Sequence, residues 1–191
     1  MGSALAEAAL AAGHSVVMVS GPVDVTYPEA VEVRYVVSTE EMLDVCRELF
    51  PSCDGLIGVA APCDYRPMRV ADSKIAKTGQ PLALHLIETT DVVASLGSTK
   101  QSQWLVGFAL ETEDHRLRAL AKLEKKHCDL MVLNGPQAME SLENDVEMID
   151  RDGQVVARFS GPKQDVARSI FGVIDERLIL PAAPSRQAPQ R

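Results

Sequence analysis

Residues 55–67 read GLIGVAAPCDYRP. Small and apolar residues run without a charge from Gly55 to Ala61, and then Asp64, Tyr65 and Arg66 arrive together. A short uncharged run closed by a proline is the pattern of a strand buried on both faces, as in a parallel sheet covered by helices. Such sheets take their ligands beyond the carboxyl ends of the strands. The polar stretch that follows, PCDYRPMRVADSKIAKTGQP at 62–81, therefore stands where a ligand would be met.

The flanks repeat the alternation. SALAEAALAAG (3–13) is an alanine-rich helix stopped by Gly13, and HSVVMVSGP (14–22) is an apolar strand ended by Gly21-Pro22. VEVRYVVS (31–38) is a β-branched strand, and TEEMLDVCRELF (39–50) an amphipathic helix capped by Ser38 or Thr39. LALHLIE (82–88) alternates like a strand with one apolar face. TTDVVASLGS (89–98) starts a helix, WLVGFALE (104–111) is a strand, EDHRLRALAKLEKKHC (113–128) is a charged helix and DLMVLN (129–134) a strand. DVEMIDRDGQVVARF (145–159) is a hairpin turning at Asp152-Gly153. KQDVARSIFGVIDERLI (163–179) is the last helix, and the proline- and alanine-rich tail 181–191 is expected to be disordered. The expectation is one α/β domain over 1–180: a three-layer, Rossmann-like, mostly parallel sheet with helices on both faces. A doubly wound domain opens on a strand and a glycine-rich turn. This sequence opens directly on the helix, so its first strand is expected to be absent.

Composition narrows the function. The 191 residues are 46% hydrophobic with a net charge of −8, which argues against a nucleic-acid or anionic-membrane binder. An anionic ligand would have to be met by a local basic cluster. No apolar run approaches the ~18 residues of a membrane span, and the start lacks a basic region before its apolar residues, so a cytoplasmic protein is expected. Cys46, Cys53, Cys63 and Cys128 form no CxxC and read as reduced thiols, mostly buried filler. The four histidines are scattered, with no metal-ligand spacing.

In order and spacing, VSGP, GVAAPCDYRP, KIAK, TTDVV, VGFALET, the Lys122/Lys126 pair and the LN of residues 133–134 resemble phosphopantothenoylcysteine synthetase. This is the phosphopantothenate–cysteine ligase of coenzyme A synthesis, often the second half of a bifunctional flavoprotein. The resemblance covers roughly residues 2–180. It implies coupling of 4′-phosphopantothenate to cysteine through an acyl-cytidylate, with CTP as co-substrate and magnesium present. It implies a homodimer, and a phosphopantothenoylcysteine decarboxylase as fused or separate partner. FMN would belong to that decarboxylase and is not expected here. The absent opening segment carries a strand, an asparagine loop and a Gly-Lys turn in the family, which implies weak activity for this chain alone.

Residue by residue, the resemblance sets Gly58, Val59 and Ala60 as the strand end bordering the nucleotide and Asp64 as the acid lying against it. Lys74 becomes the catalytic lysine of a closing loop, with Lys77 the nearest equivalent of a second. Thr90, Asp91, Val92 and Val93 form a nucleotide-contacting turn, in which threonine replaces the family's proline. Phe108 stands beside the base. Lys122 and Lys126 reach the phosphates from one helix face, as their i, i+4 spacing allows. Asn134 would contact substrate, although Gly135 follows it where the family has aspartate.

Each feature has an ordinary reading too. Asp64 could be a turn residue, Lys74 and Lys77 a solvated loop, Lys122, Lys125 and Lys126 an exposed helix face, and Phe108 plain core. Two other functions fit the same pattern. One is a non-catalytic nucleotide-binding or assembly subunit. The other is an NAD(P)-dependent oxidoreductase, against which stands the lack of a GxGxxG after any strand.

Overall fold

A computed structural model describes residues 1–110, 115–134 and 144–180. The expected tail, the start of the charged helix and the residues that follow Asn134 lie outside them. The first helix, α1 (Gly2–Ala11), ends as its sequence predicts. Gly13 takes a positive φ of 90°, and the Gly13 and His14 amides donate back to the Leu10 and Ala9 carbonyls. Strand β1 (Val17–Ser20) then pairs in parallel with β2 (Glu32–Tyr35). Helix α2 (Thr39–Leu49) is capped by Ser38, whose hydroxyl accepts the Glu41 amide.

The main sheet is built on β3 (Gly55–Gly58), β6 (Trp104–Leu110) and β7 (Leu130–Asn134), all parallel. It is completed by an antiparallel hairpin, β8 (Asn144–Asp150) and β9 (Val155–Gly161). The hairpin turns as predicted, with Gly153 at a φ of 73° and the Asp150 carboxylate accepting the Asp152 and Gln154 amides. The strand order is β3-β6-β7-β8-β9. Helices cover both faces. On one, α1 and α5 (Lys163–Ile174) pack Leu5, Ala8, Val166, Ile170 and Ile174 against Val106, Val132 and Met148. On the other, α2, α3 (Val92–Gly97) and α4 (His115–Lys125) bring Leu43, Leu96, Ala119 and Leu123 against Leu105, Met131 and Ile149. The expected α/β, mostly parallel, three-layer architecture is the one observed.

Gly55 lies directly beside Trp104 in the β3–β6 register, with the indole over its Cα. A methyl group there would come within 2.1 Å of the ring. The glycine is thus required by close approach, not by backbone conformation.

Two features differ from expectation. First, β1–β2 is a sheet of its own, not hydrogen-bonded to β3; Val17–Ser20 and Gly55–Gly58 line the same cleft from either side. Second, the polar stretch contains a strand, β4 (Tyr65–Pro67), paired antiparallel with β5 (Leu86–Glu88). Period-2 alternation in LALHLIE predicted a longer strand with a buried face. Only its end pairs, and Leu82, Leu84 and Leu86 are 65%, 63% and 54% exposed. Nothing in the described chain covers them, so the pattern has no partner to fold against. No helix among the described residues is long and apolar enough to cross a membrane.

Candidate functional site

Parallel topology sends the ends of β1, β3 and β6 to one edge, and a cleft of about 1410 Å³ opens there and runs between the two sheets. Of the predicted site residues, Gly58, Val59, Ala60, Asp64, Thr90, Asp91, Val92, Val93, Phe108 and Lys126 all line it. Their placement follows from local structure. Gly58 closes β3, and an added Cβ would press on the Val93 side chain at 2.7 Å, so β3 and α3 meet closely at the cleft floor. Asp64 sits at the base of the β4–β5 arm, exposed, its carbonyl accepting the Thr89 amide at 2.9 Å. The Thr89 hydroxyl donates to the Cys63 carbonyl, a second link fixing the arm's base.

Asp91 caps α3: its Oδ1 accepts the Ala94 amide at 3.0 Å, and its Oδ2 lies 3.1 Å from the Lys126 ammonium. Burial opposes ionisation of this carboxyl. The Ala94 N–H and the Lys126 charge outweigh burial and hold it below the usual carboxylate range. Thr90 stands immediately before this cap.

Lys74, Lys122 and Asn134 are not among the cleft-lining residues. Lys74 is exposed between β4 and β5. Lys122 stands one turn before Lys126 on α4, exposed and engaged in a contact of its own. Asn134 ends β7, with a buried Oδ1 that has no hydrogen-bond partner among the described residues. An orphaned acceptor of this kind is costly and marks a place to look for a further polar group.

A profile of the DNA/pantothenate metabolism flavoprotein C-terminal domain family matches residues 1–178. The chain belongs to this family. A "Cysteine/Cysteine sulfinic acid decarboxylase" from an unknown prokaryotic organism is 38% identical over 177 residues, covering 90% of this chain and 49% of that protein. The "Coenzyme A biosynthesis bifunctional protein CoaBC" of Haemophilus influenzae is 33% identical over 181 residues, covering 93% and 45%. The chain thus spans about half the length of the curated relatives it matches. The crystal structure of a CoaBC C-terminal domain superposes with a TM-score of 0.75 at 32% identity, over 91% of this chain and 81% of that one.

In this flavoprotein C-terminal domain several cleft residues escaped sequence reading. Lys125, Lys163 and Gln164, the start of α1 at Met1–Ser3, and Ser20 with Tyr27 also line the cleft. Ser20 is 5% exposed, with its hydroxyl 2.7 Å from that of Tyr27. The second SGP, at 160–162, carries the signal for Lys163: like the first at 20–22, it ends a strand at the ligand edge. Lys125, Lys126 and Lys163 bring positive charge to the cleft lining in a chain of charge −8. Among the described residues no group of three or more His, Cys, Asp or Glu stands close enough to hold a metal. Among those residues a self-contained metal centre therefore does not fit. A magnesium ion travelling on a triphosphate asks for only one or two carboxylates, and Asp64 and Glu88 line the cleft.

Proposed function

We propose that this domain binds CTP in the cleft and serves the coupling of 4′-phosphopantothenate to cysteine. The observation carrying the reading is convergence. Four separated segments (58–64, 90–93, Phe108 and Lys126) meet on one cleft at the carboxyl ends of the strands, in the order that suggested the ligase. In the reaction, the pantothenate carboxylate attacks the α-phosphorus of CTP and pyrophosphate leaves. The cysteine amine then attacks the acyl carbonyl and CMP leaves. Two anions must approach, so positive charge has to be in place beforehand. Lys126 and Lys125 would supply it from the α4 side, and Lys163 from the α5 side. Magnesium would screen the phosphates. Phe108 and the β3 end would give the base a dry wall. Lys74, on the exposed arm, would reach the phosphates by closure of that arm. The arm's uncovered leucines suit a second copy, so the domain acts as a homodimer, with a phosphopantothenoylcysteine decarboxylase as partner.

Titration calorimetry with CTP and magnesium, with ATP and NADPH as separate arms, tests this. CTP is expected to bind. Lys126→Ala should weaken it about tenfold, as loss of a charge-assisted contact does, and Asp64→Asn should weaken it before any chemical step is affected. Lys74→Gln should spare binding and reduce acyl-cytidylate formation. Binding of NADPH in place of CTP would favour the oxidoreductase, and binding of no nucleotide would favour an assembly subunit.

A further inference from the structure

Lys126 is held at two points by the same short helix. At its backbone end, the Lys126 carbonyl sits against Gly97, the last residue of α3, so closely that a Cβ on Gly97 would come within 2.1 Å of the oxygen. At its other end, the ammonium meets the Asp91 carboxylate at 3.1 Å, before the first residue of α3. The lysine side chain therefore runs back along α3, from its carboxyl end to its cap. The carbonyl end is itself fixed. The Lys126 amide donates to Lys122, His127 takes a positive φ of 53°, and the Lys100 ammonium binds the His127 carbonyl at 2.7 Å. Both oxygens of the Asp91 carboxylate are engaged, one with the Ala94 amide and one with the ammonium.

We infer that Asp91 is a positioning residue for Lys126: its carboxylate sets the ammonium at the cleft and Gly97 sets the backbone it starts from. The inference rests on the reading of the cleft as a nucleotide site and departs from it in one respect. Asp91 acts through Lys126 rather than by touching the nucleotide with its carboxylate. A free lysine has many rotamers, and holding one in place beforehand removes an ordering cost from binding.

The sign of one substitution decides it. Asp91→Asn keeps the cap, since asparagine caps as well as aspartate, but removes the charge holding Lys126. If Asp91 were merely a negative charge near an anion site, its removal would tighten CTP binding. As a positioning residue, its loss weakens CTP about two- to fivefold, the size of a partly exposed ion pair. In a Lys126→Ala background the same substitution should cause no further weakening. A second readout does not depend on nucleotide. In the CTP-free wild-type protein, the Lys126 ammonium should give a resolved NMR resonance, slowed in exchange by its partner. Asp91→Asn should abolish it while circular dichroism shows the protein still folded. Tighter or unchanged CTP binding by Asp91→Asn overturns the inference, as does an ammonium resonance that survives the substitution. If wild-type protein binds no CTP, the nucleotide reading fails by itself, and the ammonium resonance still decides whether Asp91 holds Lys126.

Discussion

Replacing Gly55 by alanine is the sharpest test of how β3 is seated. The new Cβ would lie 2.1, 2.2 and 2.5 Å from three atoms of the Trp104 indole, where ordinary carbon contacts are about 3.5–4.0 Å. The ring cannot yield as the tip of a long chain would: it packs against the core formed by α1, α5 and the sheet. Relief requires a turn of the whole indole or a slide of β3 along β6. The cost belongs at the upper end of the overpacking range, about 3 kcal/mol. For a domain of this size, that lowers the melting temperature by about 6–12 °C. Trp104 is the single tryptophan of the chain, so its emission reports on the perturbed contact directly, and circular dichroism follows the fold. Gly55→Ala combined with Trp104→Leu removes the clash and should recover part of the loss. Because Gly58–Ala60 continue from β3 into the cleft, Gly55→Ala should also weaken nucleotide binding. A melting temperature within about 2 °C of wild type, with unchanged emission, would refute the packing argument.

Other outcomes follow from the same geometry. Burial lifts the Cys46 and Cys128 thiols from 9.0 to about 11, with neighbouring charges adding smaller effects. Their contribution to stability is whole below pH 9 and is lost as pH rises toward 11, which melting curves against pH will show; iodoacetamide at mild pH should modify exposed Cys63 first. Asp91, held below the usual carboxylate range, contributes stability present above pH 3.8 and lost as pH falls through its lower folded value; Asp91→Asn should flatten that acid limb. Limited proteolysis near Lys74 and Lys77 should slow when CTP and magnesium are added, and equal cleavage would reject closure of the arm. Light scattering at micromolar concentration should give a dimer, and Leu82→Asp with Leu84→Asp should give a monomer.

The layers were legible because burial and period agree. GLIGVAA and LMVLN are uncharged runs flanked by helices, and a parallel, covered sheet is what such runs require. Caps were legible for the same reason: Ser38 and Gly13 act within a few residues of themselves. The β4–β5 arm was not. YRP lacks apolar period and contains a proline, and its pairing rests on a partner about twenty residues away. The site was legible where it lies on strand ends, from Gly58 to Asp64 and at Phe108. Lys163 was signalled only by the SGP before it, and the Ser20–Tyr27 pair was not legible, because the return of the loop after Gly21-Pro22 is what brings the tyrosine hydroxyl onto Ser20. The Lys126–Asp91 contact was hidden likewise: the residues are 35 positions apart, and each had been assigned to the nucleotide separately.

The split between the sheets has a mechanical side. β1–β2 is attached to the main body through helices: α1 lies against α5, and α2 lies against α3, where Arg47 donates to the Ser95 hydroxyl at 3.0 Å. A backbone ladder resists sliding, because every pair must break together. Packed helices slide by small rotamer changes. Ser20 and Gly58 thus take their relative position from packed side chains, and a substitution at the Arg47–Ser95 contact would be felt at the cleft with both backbone ladders intact.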